Sequence, residues 1–392
     1  MDALTTPSNW QRVRLGDVGK PCMCKRVMKH QTTRYGEIPF YKIGTFGNTA
    51  DAFISKKLFL EYKTKYSFPK KGDILISASG TIGRAVIYDG KPAYFQDSNI
   101  VWIDNDETLV KNDFLFYAYS NVKWNTEHTT ILRLYNDNFK NTLIPLPPLN
   151  EQIAIANILS DVDRYLYSLD ALILKKESVK KALSFELLSQ RKRLKGFNQN
   201  WQRVRLGDIC EFGNGEAYET LIVENGDFKL ISLNSIDIDG NLKNTMKRVN
   251  FYDNSLKQDD IVMVLSDVAH GDFLGLCAVI PSNDYVLNQR MGRLRIRNDC
   301  INILFLRLYI NANQKYFKMQ GQGSSQLNLS KKAIEDFEIL LPPLNEQIAI
   351  ANILSALDNE IISLKNKKRQ FDNIKKALNH DLMSAKIRVL KK

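Results

Sequence analysis

The feature that most constrains this 392-residue chain is an internal duplication of long period. WQRVRLGD stands at 10–17 and again at 201–208, and LPPLNEQIAIANILS stands at 146–160 and again at 341–355. The register runs on past the identical stretch: Asp163 matches Asp358, and KKAL at 180–183 matches KKAL at 375–378. Markers copied this faithfully, with unlike sequence between them, dictate the order A–h–A′–h′. The expected boundaries are a globular domain over 1–145, a long helix within 146–195, a second globular domain over 196–340 and a second long helix within 341–392. The alternative is a plain fusion of two domains through a shared linker, but the copied segment reads as folded helix.

Each h segment opens on LPPL, and proline disfavours helix in the residue before it. Asn150 and Asn345 then stand where an N-cap is wanted, ahead of Glu151 and Glu346. No Gly or Pro follows until Gly196 in the first copy, and none follows in the second. Apolar residues recur at alternating spacings of four and three. The first seam is Ile155, Leu159, Val162, Leu166, Leu169, Ile173, Lys176, Lys180, Leu183 and Leu187. The second is Ile350, Leu354, Leu357, Ile361, Leu364, Lys368, Phe371, Lys375, Leu378 and Leu382. That is a heptad seam sustained over several turns. At 1.5 Å per residue each helix is a rod of roughly 60 Å. A narrow stripe needs a partner, and the duplicate helix in the same chain is the nearest one. The expectation is an antiparallel coiled coil with a pseudo-two-fold internal repeat, its four seam lysines extending to water or toward a partner. The competing arrangement packs each helix on its own domain.

The A segments alternate short β-like runs with turn signals. IPFYKIGTF (38–46), GDILISASGTIGRAVIYDG (72–90) and NIVWID (99–104) have counterparts in FKLISLNSI (228–236), DDIVMVL (259–265), GLCAVIP (275–281) and GRLRIRN (292–298). FLFYAYSN (114–121) and LFLRLYINAN (304–313) read as helices. The fold class is therefore α+β: two small globular domains of one fold with different surfaces, joined by two long helices.

The net charge of +12 invites a polyanionic partner. Bulk charge does not prove one, because residues 194–345 carry 17 Lys+Arg against 18 Asp+Glu. Basic residues interleave with aromatics in SKKLFLEYKTKYSFPKK (55–71). On a strand, Arg293, Arg295 and Arg297 share one face, with Leu294 and Ile296 on the other. Arginine binds phosphates and reads guanine edges, whereas the bland reading is a solvated sheet face with acidic neighbours. GQGSSQLNLSKK (321–332) is a small polar loop able to approach a duplex closely. The DNA-binding candidates are Lys42, Lys56, Lys57, Lys70, Lys71, Arg84, Arg290, Arg293, Arg295, Arg297, Ser324, Ser325 and Gln326.

Catalytic signatures are missing. The sequence contains no GxxxxGK[ST], no HExxH and no GxSxG. The histidines at 30, 128, 270 and 380 lie far apart, and Cys22 and Cys24 form a CxC with no second ligand pair, so no catalytic residue and no metal site is expected. Five scattered cysteines fit reduced thiols in a cytoplasm. No run approaches the ~20 apolar residues of a membrane span, and the first residues lack the apolar region of a signal peptide.

IPLPPLNEQIAIANILSDVD and ILLPPLNEQIAIANILSALD, each closing a variable domain and opening a long helix, carry a specific likeness. WQRVRLGD, KKGDILISASGTIGRAVI and GQGSSQLNLSKKAIEDFEILLPPLNEQ support it. Over essentially its whole length the chain resembles the DNA specificity (S) subunits of Type I restriction–modification systems. It departs at TTILRLYNDNFKN (129–141), which lacks the Gly-Ser loop of 321–326, and at SDVAHGDFLG (266–275), where the first domain has the shorter SGTIG. The resemblance implies a non-catalytic subunit whose two target recognition domains each read half of an asymmetric, split site in double-stranded DNA. The paired helices would set the gap and dock two methyltransferase (M) subunits, with two nuclease–translocase restriction (R) subunits completing the complex. No cofactor is expected on this chain; S-adenosylmethionine, ATP and magnesium are expected on the partner subunits. A coiled-coil adaptor without nucleic acid and an RNA-binding scaffold are the alternatives.

Overall fold

The computed structural model describes Pro7 and residues 9–128, 132–268 and 271–389. Parts of both departures noted above, residues 129–131 and 269–270, lie outside them, as does His270. The chain divides into two compact units, Met1–Asp170 with Asn366–Lys392, and Ala171–Lys365. Each contains one globular domain and one half of each long helix.

The two domains share one topology despite their unlike sequences. In the first, Gln11–Arg14 pairs antiparallel with Leu143–Leu146, so the domain's entry and exit strands lie side by side. In the second, Gln202–Arg205 pairs the same way with Glu338–Leu341. A four-stranded antiparallel sheet follows, in the order Gly19–Met23, Ile100–Asn105, Ile74–Ser77, Ala85–Ile87. Its counterpart runs Cys210–Asn214, Met291–Ile296, Ile261–Val264, Cys277–Val279. A three-stranded sheet with one parallel pair completes each domain. The repeated LGD forms a one-turn helix after the entry strand, in which Asp17 and Asp208 accept from the backbone N–H of Arg14 and Arg205, both at 3.2 Å. Gly207 is required there, since a Cβ would stand 2.9 Å from the Glu335 Cβ.

The long helices span Leu149–Leu188 and Leu344–Met383. They begin one residue before the expected caps. The carbonyls of Pro148 and Pro343 accept from the N–H groups three and four residues on, so Asn150 and Asn345 lie in the first turn and Asn150 Oδ1 accepts from the Glu151 N–H at 3.0 Å.

The Glu-Gln pair that follows explains why this segment is copied without change. Gln152 accepts from the Lys111 N–H at 2.9 Å and donates to the carbonyls of Leu109 and Pro147. Gln347 does the same with Asn302, Cys300 and Pro342. Glu151, 2% exposed, accepts from the Trp10 indole at 3.0 Å and from Arg388 at 2.7 and 3.0 Å. Glu346, 0% exposed, accepts from the Trp201 indole at 3.0 Å and from Arg193 at 3.1 and 2.6 Å. Both arginines follow the end of the other long helix, so each helix start is clasped to the opposite helix's end. A buried carboxylate persists only when its charge and lone pairs are met, and this clasp meets them.

The seam is composite. Ile155, Leu159 and Leu382 lie in the first domain's core with Trp10, Leu15 and Ile144. Leu187, Ile350 and Leu354 lie in the second domain's core with Leu206 and Ile339, and Leu183 packs against it. Thus the helix ends pack on their domains as well as on each other. Between the ends, Leu166, Leu169, Ile173 and Ile361 are buried, and Val162, Leu357, Leu364, Phe371 and Leu378 are half-buried. Tyr165 and Phe371 meet with ring centroids 4.6 Å apart.

The seam lysines are spent inside the pair, not displayed to solvent or a partner. In the first unit Lys375 bridges to Asp163, and Lys368 to Asp170 at 3.0 Å. In the second Lys180 bridges to Asp358, and Lys176 to Glu360 at 2.8 Å. Lys365 joins Glu177 at 2.8 Å, and this hydrogen bond raises the lysine's pKa. Asp163–Lys375 and Asp358–Lys180 are the same pair seen from the two copies, which fixes an antiparallel register in both units.

Two outcomes test this. Glu346→Ala strands the Trp201 N–H and the Arg193 charge, and should destabilise the protein by about 3 kcal/mol in thermal or urea melts. Lys180→Glu should cost about 1 kcal/mol, and adding Asp358→Lys should restore most of the loss; no recovery in the double variant would refute the pairing.

Candidate nucleic-acid interface

Met291–Ile296 is a central strand of the second domain's sheet. Its alternation buries Leu294 in the core and packs Ile296 against it, leaving Arg293 and Arg295 on the opposite face. There, however, they serve the domain. Arg295 makes a two-pronged salt bridge with Asp260, at 2.8 and 2.7 Å, and Asp260 is 2% exposed. That hydrogen bonding raises the Arg295 pKa. Arg293 pairs with Glu211 at 2.6 Å and donates to the Ser255 carbonyl at 3.1 Å. Two of the three arginines expected to form a nucleic-acid face are thus held by their own domain. Arg297 is exposed, with no side-chain hydrogen bond or salt bridge among the described residues. Arg295→Ala should therefore lower stability by about 2–3 kcal/mol by leaving Asp260 buried without its cation. Arg297→Ala should stay within about 0.5 kcal/mol in the same melts.

Arg290 behaves differently. It occupies the left-handed region, φ 68°, it is exposed, and its side chain makes no hydrogen bond or salt bridge among the described residues. With Ser325 and Gln326 it lines a cleft of 420 Å³, joined by Lys243 and Asn234. The structure thus brings together three sequence candidates. It also orders more of 321–332 than a loop reading allows. Gln326–Asn328 pairs antiparallel with Ser266–Val268, Gln326 donates to Ser266, and Ser330 caps the helix Lys331–Glu335. Ser324 and Ser325 remain exposed.

In the first domain the candidates are spread over several loops and the start of one helix. Lys42 bridges to Asp51 at 2.8 Å and Lys70 to Asp104 at 2.9 Å. Arg84 donates to the Gly47 carbonyl at 3.3 Å. Lys56 and Lys57 are exposed in the first turn of the helix Lys56–Lys65, capped by Ser55. Lys71 is exposed, its stem lying against Gly90. The interleaved aromatics are chiefly structural: Phe59 is buried, Phe68 packs beside it, and Lys63 lies over both rings.

Matching hydrogen bonds equate positions in the two domains that sequence likeness does not. The Ala78 N–H bonds the Asn99 carbonyl at 2.8 Å, and the Leu265 N–H bonds the Arg290 carbonyl at 2.9 Å. Leu134 donates to Ala78, and Leu329 to Leu265, both at 2.8 Å. Hence Asn99 is equivalent to Arg290, and Arg133 to Asn328. Ser79 and Ser266 complete the set, each hydrogen-bonded to its domain's asparagine, at 2.8 and 2.7 Å. Arg133 donates through Nη2 to Ser98 Oγ at 2.8 Å and its carbonyl at 3.0 Å, and makes no salt bridge among the described residues. Arg133 escaped notice because its segment lacks the Gly-Ser loop. Counting back from the two LPPLNEQ markers would have found it, since Leu132-Arg133-Leu134 then falls on Leu327-Asn328-Leu329.

Comparison with known proteins accords with this duplicated design. The family model described as the Type I restriction modification DNA specificity domain matches twice, over residues 7–176 and 198–371. The chain belongs to this family. It is a Type I specificity subunit, a non-catalytic DNA-recognition component with two target recognition domains. The Methanocaldococcus jannaschii Type I restriction enzyme MjaVIII specificity subunit is 29% identical over 420 residues, covering 99% of this chain and 95% of that one. A Haemophilus influenzae protein named as a Type I specificity subunit is 65% identical over 148 residues, an alignment that spans 38% of each chain. The crystal structure of a Type I S subunit from M. genitalium shares the fold, with a TM-score of 0.65 and 19% identity over 97% of this chain and 98% of that one. No helix among the described residues is long and apolar enough to cross a membrane.

Proposed function

We propose that this subunit reads a bipartite, asymmetric site in double-stranded DNA. Residues 1–145 and 196–340 act as target recognition domains 1 and 2, and the helical segments 146–195 and 341–392 as the spacer that sets the gap. The observation that carries this is the contrast between copies: one scaffold, two sets of outward polar side chains and an unchanged helical joint. Two unlike readers on a common frame fit two unlike half-sites. Affinity comes largely from Lys/Arg–phosphate contacts and falls steeply with salt, while base-edge contacts choose the sequence.

The helical segments dock two methyltransferase subunits, which carry S-adenosylmethionine, and through them two ATP- and magnesium-dependent restriction subunits. Matching exposed apolar residues support two copies of one partner. Leu149, Ile153 and Ile158 are repeated as Leu344, Ile348 and Ile353, and all six are at least one-third exposed. A surface presented twice in one chain recruits the same partner twice.

Selection from random duplex pools by this subunit assembled with its methyltransferase should return one split motif; pools without one would overturn the reading in favour of an adaptor or an RNA-binding scaffold. Inserting four residues, about one helical turn, near Lys175 and near Lys367 together should change the gap and spare both half-motifs. An unchanged gap would refute the spacer role.

A further inference from the structure

The corner of each target recognition domain where Ser79, Asn99 and Arg133, or Ser266, Asn328 and Arg290, come together is not explained by packing. In both domains a serine hydroxyl holds the asparagine Oδ1. In both an arginine stands beside them without a carboxylate partner among the described residues. The arginine and the asparagine have exchanged positions between the domains: Arg133 stands where the second domain has Asn328, and Arg290 where the first has Asn99. Elsewhere in the second domain Arg203, Arg205, Arg293 and Arg295 each have a carboxylate partner, Arg248 and Arg307 donate to backbone carbonyls as Arg133 does to Ser98, and Arg297 shares with Arg290 the lack of a side-chain partner among the described residues but lines no such cleft. The positive φ of Arg290 is a further cost, since non-glycine residues seldom adopt it. A guanidinium with no hydrogen-bonded carboxylate, near enough to Glu219 for its charge to stabilise that carboxylate, on a strained backbone beside an open cleft lined also by Lys243, Asn234 and Asp267, is placed for a ligand.

We propose that this corner is the base-reading point of each domain, with Arg290 and Arg133 each recognising a guanine in its own half-site; the proposal rests on the reading of the chain as a bipartite DNA reader. Guanine is the base that offers two acceptors, O6 and N7, to a guanidinium fork in the major groove. Arg133 Nη2 donates to Ser98 in the free chain, so a two-pronged contact exchanges one of those bonds for a guanine acceptor. Moving the arginine from the strand Leu132–Arg133 to the turn before Met291–Ile296 on a constant scaffold shifts the guanine each domain demands, which is how two half-sites come to differ.

The test uses the intact chain assembled with its methyltransferase and selection from random duplex pools. Arg290→Gly suits the left-handed backbone, so the fold is retained. It should abolish preference for one guanine, by roughly tenfold or more, in one half-motif only. Arg290→Lys should keep the salt dependence of binding and still lose that preference. Arg133→Ala should act on the other half-motif only. An unchanged motif in Arg290→Gly, or a uniform loss of affinity without loss of a base, overturns the proposal and leaves the bipartite reading standing. Absence of any split motif with the wild-type chain overturns both.

Discussion

The buried carboxylates of Glu151 and Glu346 govern this structure. A charged group almost wholly removed from water demands fixed partners, and here the partners come from distant parts of the chain: an indole from the domain opener and a guanidinium from beyond the opposite helix. One side chain therefore ties domain entry, helix start and helix end together. The adjoining glutamine adds the loop that leads into the domain's helix after its sheet. Conversion of either residue would loosen several connections at once, which accounts physically for the identity of the copied segment.

The helix pair shows the same economy. Its apolar seam is interrupted by lysines, yet each lysine is answered by an acid on the facing helix. Exposed ion pairs contribute little stability individually. Their value is in register, because a shift along the seam would bring lysine against apolar neighbours or against other lysines. Apolar packing supplies the adhesion, and the charge pattern selects one alignment from the several that a heptad stripe permits.

Much of this was legible in the sequence. The duplication, the two long helices and most strands follow from markers and periodicity, because those signals are local or repeated. What was not legible depends on long-range contacts. The lysines at seam positions read as outward-facing since their acids lie some two hundred residues away. The arginine ladder of 293–297 read as a binding face because the strand period reports direction and says nothing of what stands opposite; Asp260 and Glu211 decide that. Asn150 read as a cap although the proline carbonyl before Leu149 already takes that place. Arg133 was hidden because its segment keeps little of its counterpart beyond the flanking leucines and the distance to the next marker.

The pairing of Gln11–Arg14 with Leu143–Leu146, and of Gln202–Arg205 with Glu338–Leu341, has an architectural result. Each domain leaves its frame and returns to it at the same point, as a loop of rope does at a knot. The frame makes no demand on the rope's length or content, provided that its two ends meet as a four-residue antiparallel ladder. New surfaces can be fitted between those ends while the fastening beneath stays as it was.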